Sequence, residues 1–181
     1  MKIAILSDIH DHIWNLNVAL KHMEHTHTLL VAGDLCSPFV VNLLARQYTK
    51  PIHLVFGNND GDLYRITQNA AHYGHVKLHG EWMQSDFSEK RVAMNHYPEI
   101  AAVAAACGQF DLVVYGHNHH AMQEQSEGRW LVNPGTLMGY DPVANVDVPA
   151  TYAVYDTATA ALSFYEVRGH SIVAFHTRNR A

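Results

Sequence analysis

The chain has 181 residues, 48% of them hydrophobic and 16% charged, with a net charge of −5; it is long enough to bury a sizeable core and lacks the broad basic surface that duplex nucleic acid or an anionic membrane would need. Its only cysteines, Cys36 and Cys107, are too few for a disulfide framework or a four-thiolate zinc site, and 15 histidines leave the chemistry to His, Asp and Asn. No run reaches the roughly 18 apolar residues of a membrane span, and Met1-Lys2 opens onto a strand and not a signal peptide, so one cytoplasmic domain over residues 1–181 is expected.

Ile3-Ala4-Ile5-Leu6 reads as the first strand, after which Leu16, Ala19, Leu20 and Met23 recur at helical spacing and predict a helix of about three turns. A second strand runs from about Thr28 to Gly33. Ser37 as N-cap and Pro38 as first helical residue predict a helix over Phe39 to Tyr48, with Val40, Leu43 and Leu44 inward. Ile52 to Gly57 is the third strand, and Leu63, Ile66 and Ala70 mark a helix that stops near Tyr73-Gly74. This alternation predicts right-handed crossovers and a largely parallel sheet, whose ligands gather beyond the carboxyl ends of its strands.

The second half changes character. Val76 to Leu78 and Trp82 to Phe87 read as short strands, and Lys90 to Met94 follows a turn at Ser88-Glu89. The helix from Pro98 is expected to share one apolar face among Ile100, Val103, Ala104 and Cys107, with Gly108 closing it. Leu112 to Gly116 is a further strand. Antiparallel strands follow at about Ala121–Gln125, Trp130–Val132, Tyr152–Tyr155, Leu162–Val167 and Ile172–His176. The stretch from Met138 to Pro149 has no periodicity and suits a rim or an oligomer contact.

Five of these strands end in residues able to bind a metal: Asp8 and His10, then Asp34, Asn58, His96, and His117 with His119. At the Asp8-x-His10 spacing an extended backbone aims both side chains into one site. Taken singly, Asp8 reads as a helix cap and Asp34 as a turn residue. Imidazole and carboxylate without thiolate suit Mn, Fe, Zn, Co or Ni.

The ordered series Asp8-x-His10, Gly33-Asp34, Gly57-Asn58-Asn59-Asp60, His96, Gly116-His117-Asn118-His119 and Asn133-Pro134-Gly135-Thr136 resembles the calcineurin-like metallophosphoesterases, most of all their small bacterial and archaeal phosphodiesterase branch. Any one piece is weak; the ordered set, from residue 3 to 136, is specific. The resemblance implies an α/β fold, a four-layer α/β/β/α sandwich of two mixed β-sheets flanked by helices, with a dinuclear metal centre at one sheet edge. It also implies that Asp8, His10 and His119 hold one divalent ion and Asn58, His96 and His117 the other, with Asp34 bridging. Manganese is the foremost choice, with Fe, Zn, Ni or Co also fitting the donors. The implied activity is hydrolysis of a small phosphate ester, foremost a phosphodiester, by a water shared between the metals. A phosphomonoesterase is the alternative, as is a protein-interaction scaffold, since the fold resembles a retromer subunit; the seven intact ligands favour the enzyme. Neither duplex nucleic acid nor membrane is expected as a partner, and a homo-oligomer is left open.

Two departures bear on mechanism. The family's larger enzymes place a His directly after the metal-binding Asn; Asn59 stands here and can hydrogen-bond a leaving oxygen but cannot protonate it. Asn59, Asp60 and His12 are the candidate catalytic residues, with Asp60 expected to orient a group at position 59 and His12 or Tyr97 to substitute as donor. His96 is followed by Tyr97-Pro98 where the family often has Gly and another His, so a bulkier, stiffer pocket wall is expected, while Thr136 keeps the hydroxyl of the usual Ser. The histidines His22, His25, His27, His53, His72, His75 and His79 are expected on the surface or in loops, His120 turned away from His119, and Arg46, Arg65, Arg178 and Arg180 as solvated charges.

Overall fold

The computed structural model describes residues 1–177; Arg178 and Arg180 lie outside the described residues. In the first half, β1 (Lys2–Leu6), β2 (Thr28–Ala32), β3 (Ile52–Val55) and β4 (Val76–Leu78) alternate with α1 (Ile13–His22), α2 (Pro38–Gln47) and α3 (Leu63–Ala71). The four strands pair in parallel in sequence order. The second half supplies β5 (Trp82–Phe87), β6 (Lys90–Asn95), α4 (Pro98–Ala106), β7 (Leu112–Val114), β8 (Met122–Ser126) and β9 (Arg129–Asn133). After these come β10 (Tyr140–Asp141), β11 (Val146–Asp147), β12 (Thr151–Asp156), β13 (Ala161–Arg168) and β14 (Ser171–Phe175). β12 to β14 return to the first sheet as antiparallel strands beside β1, giving the order β14-β13-β12-β1-β2-β3-β4, and the second sheet runs β5-β6-β7-β9-β8.

Three apolar layers hold these elements apart. On β1, Ala4 and Leu6 face Leu16, Leu20, Val40, Leu44 and Ile66 of the helices, while Ile3 and Ile5 face the second sheet through Val92, Met94, Leu112 and Val114. A strand buried on both faces must be apolar throughout, which is why β1 and β2 show no polar alternation. A third, smaller layer joins Ala93, Val113 and Tyr115 of the second sheet to Ala101 and Ala104 of α4. The result is the α/β/β/α sandwich. Among the described residues no helix is long and apolar enough to cross a membrane.

Several local expectations are corrected. On α4, Ile100 and Val103 are 46% and 73% exposed, whereas Ala101 and Ala104 face the sheet. The helix is apolar round most of its circumference, so periodicity does not choose a face, and close approach to Ala93 and Val113 selects the alanines. Leu63 is exposed at the start of α3. Ser37 sits at the N-cap of α2, but its hydroxyl donates to Asp11 Oδ2 at 2.5 Å instead of capping. The stretch 138–149 contains the small β10–β11 ladder. His22 and His53 are half-buried against other rings: His22 rests 4.9 Å from the Tyr165 ring, and His53 stacks on His79 at 5.1 Å with an Nδ1 to Nε2 distance of 2.9 Å.

Candidate metal centre

The exits of β1, β2 and β3 from one sheet and of β6 and β7 from the other meet at a common edge. The backbone there is not the extended one expected at Asp8-x-His10: Asp8, His10, Asp34, His117 and His119 have φ of 51°, 42°, 57°, 76° and 59°. Left-handed conformations of non-glycine residues cost about 1–3 kcal/mol each and persist only where surrounding contacts impose them. Here the imposing contacts are visible. The N–H groups of Asp8, Ile9 and His10 donate to the carbonyls of Gly33, Asp34 and Asp34 at 3.2, 2.9 and 3.1 Å, so the β1 exit wraps round the β2 exit. At Gly116 a Cβ would lie 1.9 Å from Ser7 Oγ and 2.6 Å from Asp8 Oδ2, and only glycine lets the His117 N–H reach Asp8 Oδ2 at 3.0 Å. The Thr136 hydroxyl donates to the Asp8 carbonyl at 2.9 Å, the use this chain makes of the hydroxyl at that position.

All seven ligand candidates converge. Asp8, His10 and His119 each offer an atom within 4.8 Å of the others, and so do Asp8, Asp34 and His96. Asp34 Oδ2 stands 3.5 Å from His10 Nε2 and 3.3 Å from His96 Nε2, between the two groups. Asn58 Oδ1 lies 3.1 Å from His96 Nε2 and 2.8 Å from His117 Nδ1, completing a second set of donors.

The tautomers reveal what these donors need. Nδ1 of His96 lies 2.7 Å from the Ala32 carbonyl and Nδ1 of His119 2.6 Å from the Tyr140 carbonyl; a ring nitrogen meets a carbonyl only as a donor, which assigns the proton to Nδ1. The bare Nε2 lone pairs then point at carboxylate oxygens 3.3 Å away, Asp34 for His96 and Asp8 for His119. Lone pair against carboxylate repels unless a proton or a cation lies between. Burial opposes the charged form of His96 and His119, yet Asp34 beside His96 and Asp8 beside His119 outweigh it and raise both pKa values. Burial likewise disfavours ionised Asp8 and Asp34, but His10 and His119 around Asp8, and His96 and Asn59 around Asp34, hold both carboxyls below the usual range. An all-nitrogen-and-oxygen donor set with its lone pairs aimed inward fits divalent cations.

The three candidate catalytic residues fare differently. Asn59 donates its backbone N–H to Asp34 Oδ1 and its amide Nδ2 to Asp34 Oδ2, each at 2.8 Å, so it clamps that carboxylate. Asp60 is buried and does not face the donors: it accepts from the N–H groups of Asp34, Gly57 and Cys36 at 3.0, 2.8 and 2.9 Å, tying the β2 exit to the β3 exit. That corrects its expected place as an orienting group, since its oxygens are committed to backbone. His12 caps α1, Nδ1 accepting from the Asn15 N–H at 3.2 Å, with its ring 5.6 Å from Trp14. His120 is turned away from the centre, toward Asp141 at 3.2 Å.

Sequence reasoning missed Cys36. Its Sγ lies 3.3 Å from His10 Nδ1, so this candidate ligand imidazole has a thiol where His96 and His119 have carbonyls. Burial, together with Asp11, Asp34, Asp60 and Asp8, pushes the Cys36 thiol up to about 12 and keeps it protonated. Its place two residues after Asp34 was the available signal.

Two mixed sheets between helices, with histidine, aspartate and asparagine donors gathered at the strand ends, define a metal-binding α/β sandwich. Residues 1–160 match the model of the calcineurin-like phosphoesterase superfamily domain, and the chain belongs to that superfamily. A phosphodiesterase of Methanocaldococcus jannaschii is 27% identical over 144 residues, covering 77% of this chain and 86% of the relative. Among solved structures, an archaeal phosphodiesterase superposes with a TM-score of 0.82 at 24% identity, over 92% of this chain and 100% of its own. Vacuolar Protein Sorting 29 from Cryptosporidium parvum gives 0.72 at 18% identity, over 96% and 95%. These structural likenesses concern the fold.

Proposed function

We propose that this chain is a metal-dependent phosphodiesterase, with Asp8, His10 and His119 holding one divalent cation, Asn58, His96 and His117 a second, and Asp34 shared between them. The observation that carries the reading is the convergence of bare imidazole nitrogens on carboxylate oxygens at 3.3 Å. Bound there, divalent cations supply positive charge for a phosphate and a water of lowered pKa as nucleophile. The chain's own residues do the rest. Only Asp8 and Asp34 bring negative charge to the donor set, because Asn58 and the imidazoles are neutral ligands; the loaded centre is net positive and attracts an anionic ester to a protein of net charge −5. Asn59 fixes the shared carboxylate and Asp60 fixes the turn that carries it. With Asn59 thus engaged, no proton donor stands at that position, which favours substrates whose leaving oxygen bears its own charge. The name of the Methanocaldococcus jannaschii relative supports a diester over a monoester, and manganese is the first metal to test.

The experiment is elemental analysis of the purified protein with turnover of bis(4-nitrophenyl) phosphate and 4-nitrophenyl phosphate in added manganese. About two ions per chain and faster turnover of the diester are expected, and Asp34→Asn should empty at least one position and stop turnover. A protein that takes up no metal and turns over neither ester would favour a protein-interaction scaffold of the same fold.

A further inference from the structure

A phenol ring stands beside the Asn58–His96–His117 position. Tyr97 follows His96 at the end of β6, and its N–H donates to Asn95 Oδ1 at 2.7 Å while Asn95 Nδ2 donates to the Glu81 carbonyl at 2.7 Å. Pro98 opens α4 immediately after it. This side-chain-closed turn, with a proline behind it, fixes the direction in which the ring leaves the backbone. The ring centroid lies 5.3 Å from that of His96 and 5.4 Å from that of His117, at interplanar angles of 81° and 58°. Tyr97 thus stands against two of the three donors of one proposed metal position, yet it is only half-buried. Its hydroxyl makes no hydrogen bond among the described residues, so no polar contact demands a tyrosine there. On the other metal position the corresponding ring contact is between the ligands His10 and His119 themselves, at 5.0 Å. The two ends of the centre are therefore unlike: one carries an added flat apolar surface.

We propose that Tyr97 is a specificity-determining residue whose ring receives a flat aromatic ester group, aryl or nucleobase, of the phosphodiester. The proposal rests on the phosphodiesterase reading above. A diester carries a substituent on each side of its phosphorus, and the one above His96 and His117 must lie against something. A monoester has no second substituent to use the ring, and the electron-rich ring face gives nothing to its extra negative charge. Offset or edge-to-face pairing with an aromatic group is worth about 2- to 13-fold in binding beyond the area covered.

The test compares the metal-loaded protein with its Tyr97→Phe, Tyr97→Leu and Tyr97→Ala variants. Substrates are bis(4-nitrophenyl) phosphate, thymidine 5′-(4-nitrophenyl) phosphate and methyl 4-nitrophenyl phosphate, which share a leaving group and differ in the other ester. The parent protein should favour at least one of the aromatic esters over the methyl ester in kcat/KM. Tyr97→Phe should keep that ratio; Tyr97→Leu and Tyr97→Ala should lower it about 2- to 13-fold, through KM, with metal content unchanged. A preference carried by the thymidine ester identifies a nucleobase, and one carried by the diaryl ester alone identifies an aryl group. An unchanged ratio in both truncations, or a ratio that falls only with loss of metal, overturns the proposal and leaves the ring as a brace for the imidazoles. If no ester is turned over, the phosphodiesterase reading fails separately. Calorimetric titration with diphenyl phosphate and dimethyl phosphate then decides the role of Tyr97: selective loss of diphenyl phosphate affinity in Tyr97→Ala supports it, and equal loss of both, or of neither, rejects it.

Discussion

Replacing His96 with alanine separates the proposed metal role of this imidazole from its packing role. The ring is fully buried, and its Nδ1–H bonds the Ala32 carbonyl at 2.7 Å. That carbonyl also accepts from Ser7 Oγ at 3.1 Å, so it keeps a partner in the variant. The loss is then the hydrogen bond to Ala32 and, without metal, the contact with Asp34 Oδ2 at 3.3 Å, about 1 kcal/mol each since Asp34 keeps its two Asn59 hydrogen bonds, plus truncation of a buried ring smaller than phenyl, about 2–3 kcal/mol. Against a typical total of about 5–15 kcal/mol the chain still folds, with β6 held by Val92 and Met94, both fully buried. For a protein of this length Tm should fall by about 8–20 °C in the absence of metal. Metal at 100 times its Kd adds about 2.7 kcal/mol per occupied position, or about 5–11 °C, and His96→Ala forfeits that gain at one position. The assay is thermal unfolding with and without manganese, alongside metal stoichiometry. A variant whose metal-induced rise and stoichiometry equal those of the parent would refute the ligand assignment. One that is unfolded at 25 °C would make His96 structural.

Three further outcomes follow from the same geometry. Across a leaving-group series, log rate should fall steeply with leaving-group pKa, and Asn59→His should flatten the slope; because that change also removes the Nδ2 bond to Asp34 and Asp60 has no free oxygen to orient the imidazole, the rate for good leaving groups should drop, and equal slopes would mean another donor already serves. Cys36→Ala should weaken metal binding at the Asp8–His10–His119 position about 10- to 100-fold by calorimetry, with Cys36→Ser restoring it, whereas unchanged affinity in Cys36→Ala would make the thiol contact incidental. Burial and the neighbouring His79 depress the pKa of His53 from 6.5 to about 4, so the stability gained by keeping it neutral is present above pH 6.5 and lost as pH falls toward 4; the urea midpoint should drop more between pH 7 and pH 5 in the parent than in His53→Phe, and equal drops would contradict the burial argument.

The sandwich, and the gathering of the seven candidate residues at one edge, were legible because strands buried on both faces read as short apolar runs and because each run stops at a residue of ligand type. What stayed hidden depends on information that residue type does not carry. Nothing in Asp8, His10 or His117 announces a left-handed backbone, which carbonyls of the neighbouring exit impose at Asp8 and His10 and the Asp8 carboxylate at His117. Asp60 looks like a catalytic carboxylate because it adjoins Asn58 and Asn59, yet three N–H groups from two loops claim it. The inward face of α4 was unreadable because alanine, valine and isoleucine occupy most of its circumference, and the sheet beneath chose the smallest. The side chain of His53, on the third strand, reads as exposed because histidine usually is, but stacking on His79 satisfies the ring between the sheets.

The central claim is that two cations share Asp34, and anomalous diffraction from manganese-loaded crystals tests it most directly. The account predicts two peaks about 3.5–4 Å apart, one against Asp8, His10 and His119, the other against Asn58, His96 and His117, with a carboxylate oxygen of Asp34 bound to each ion or between them. A single peak, or two peaks of which Asp34 touches only one, would contradict it.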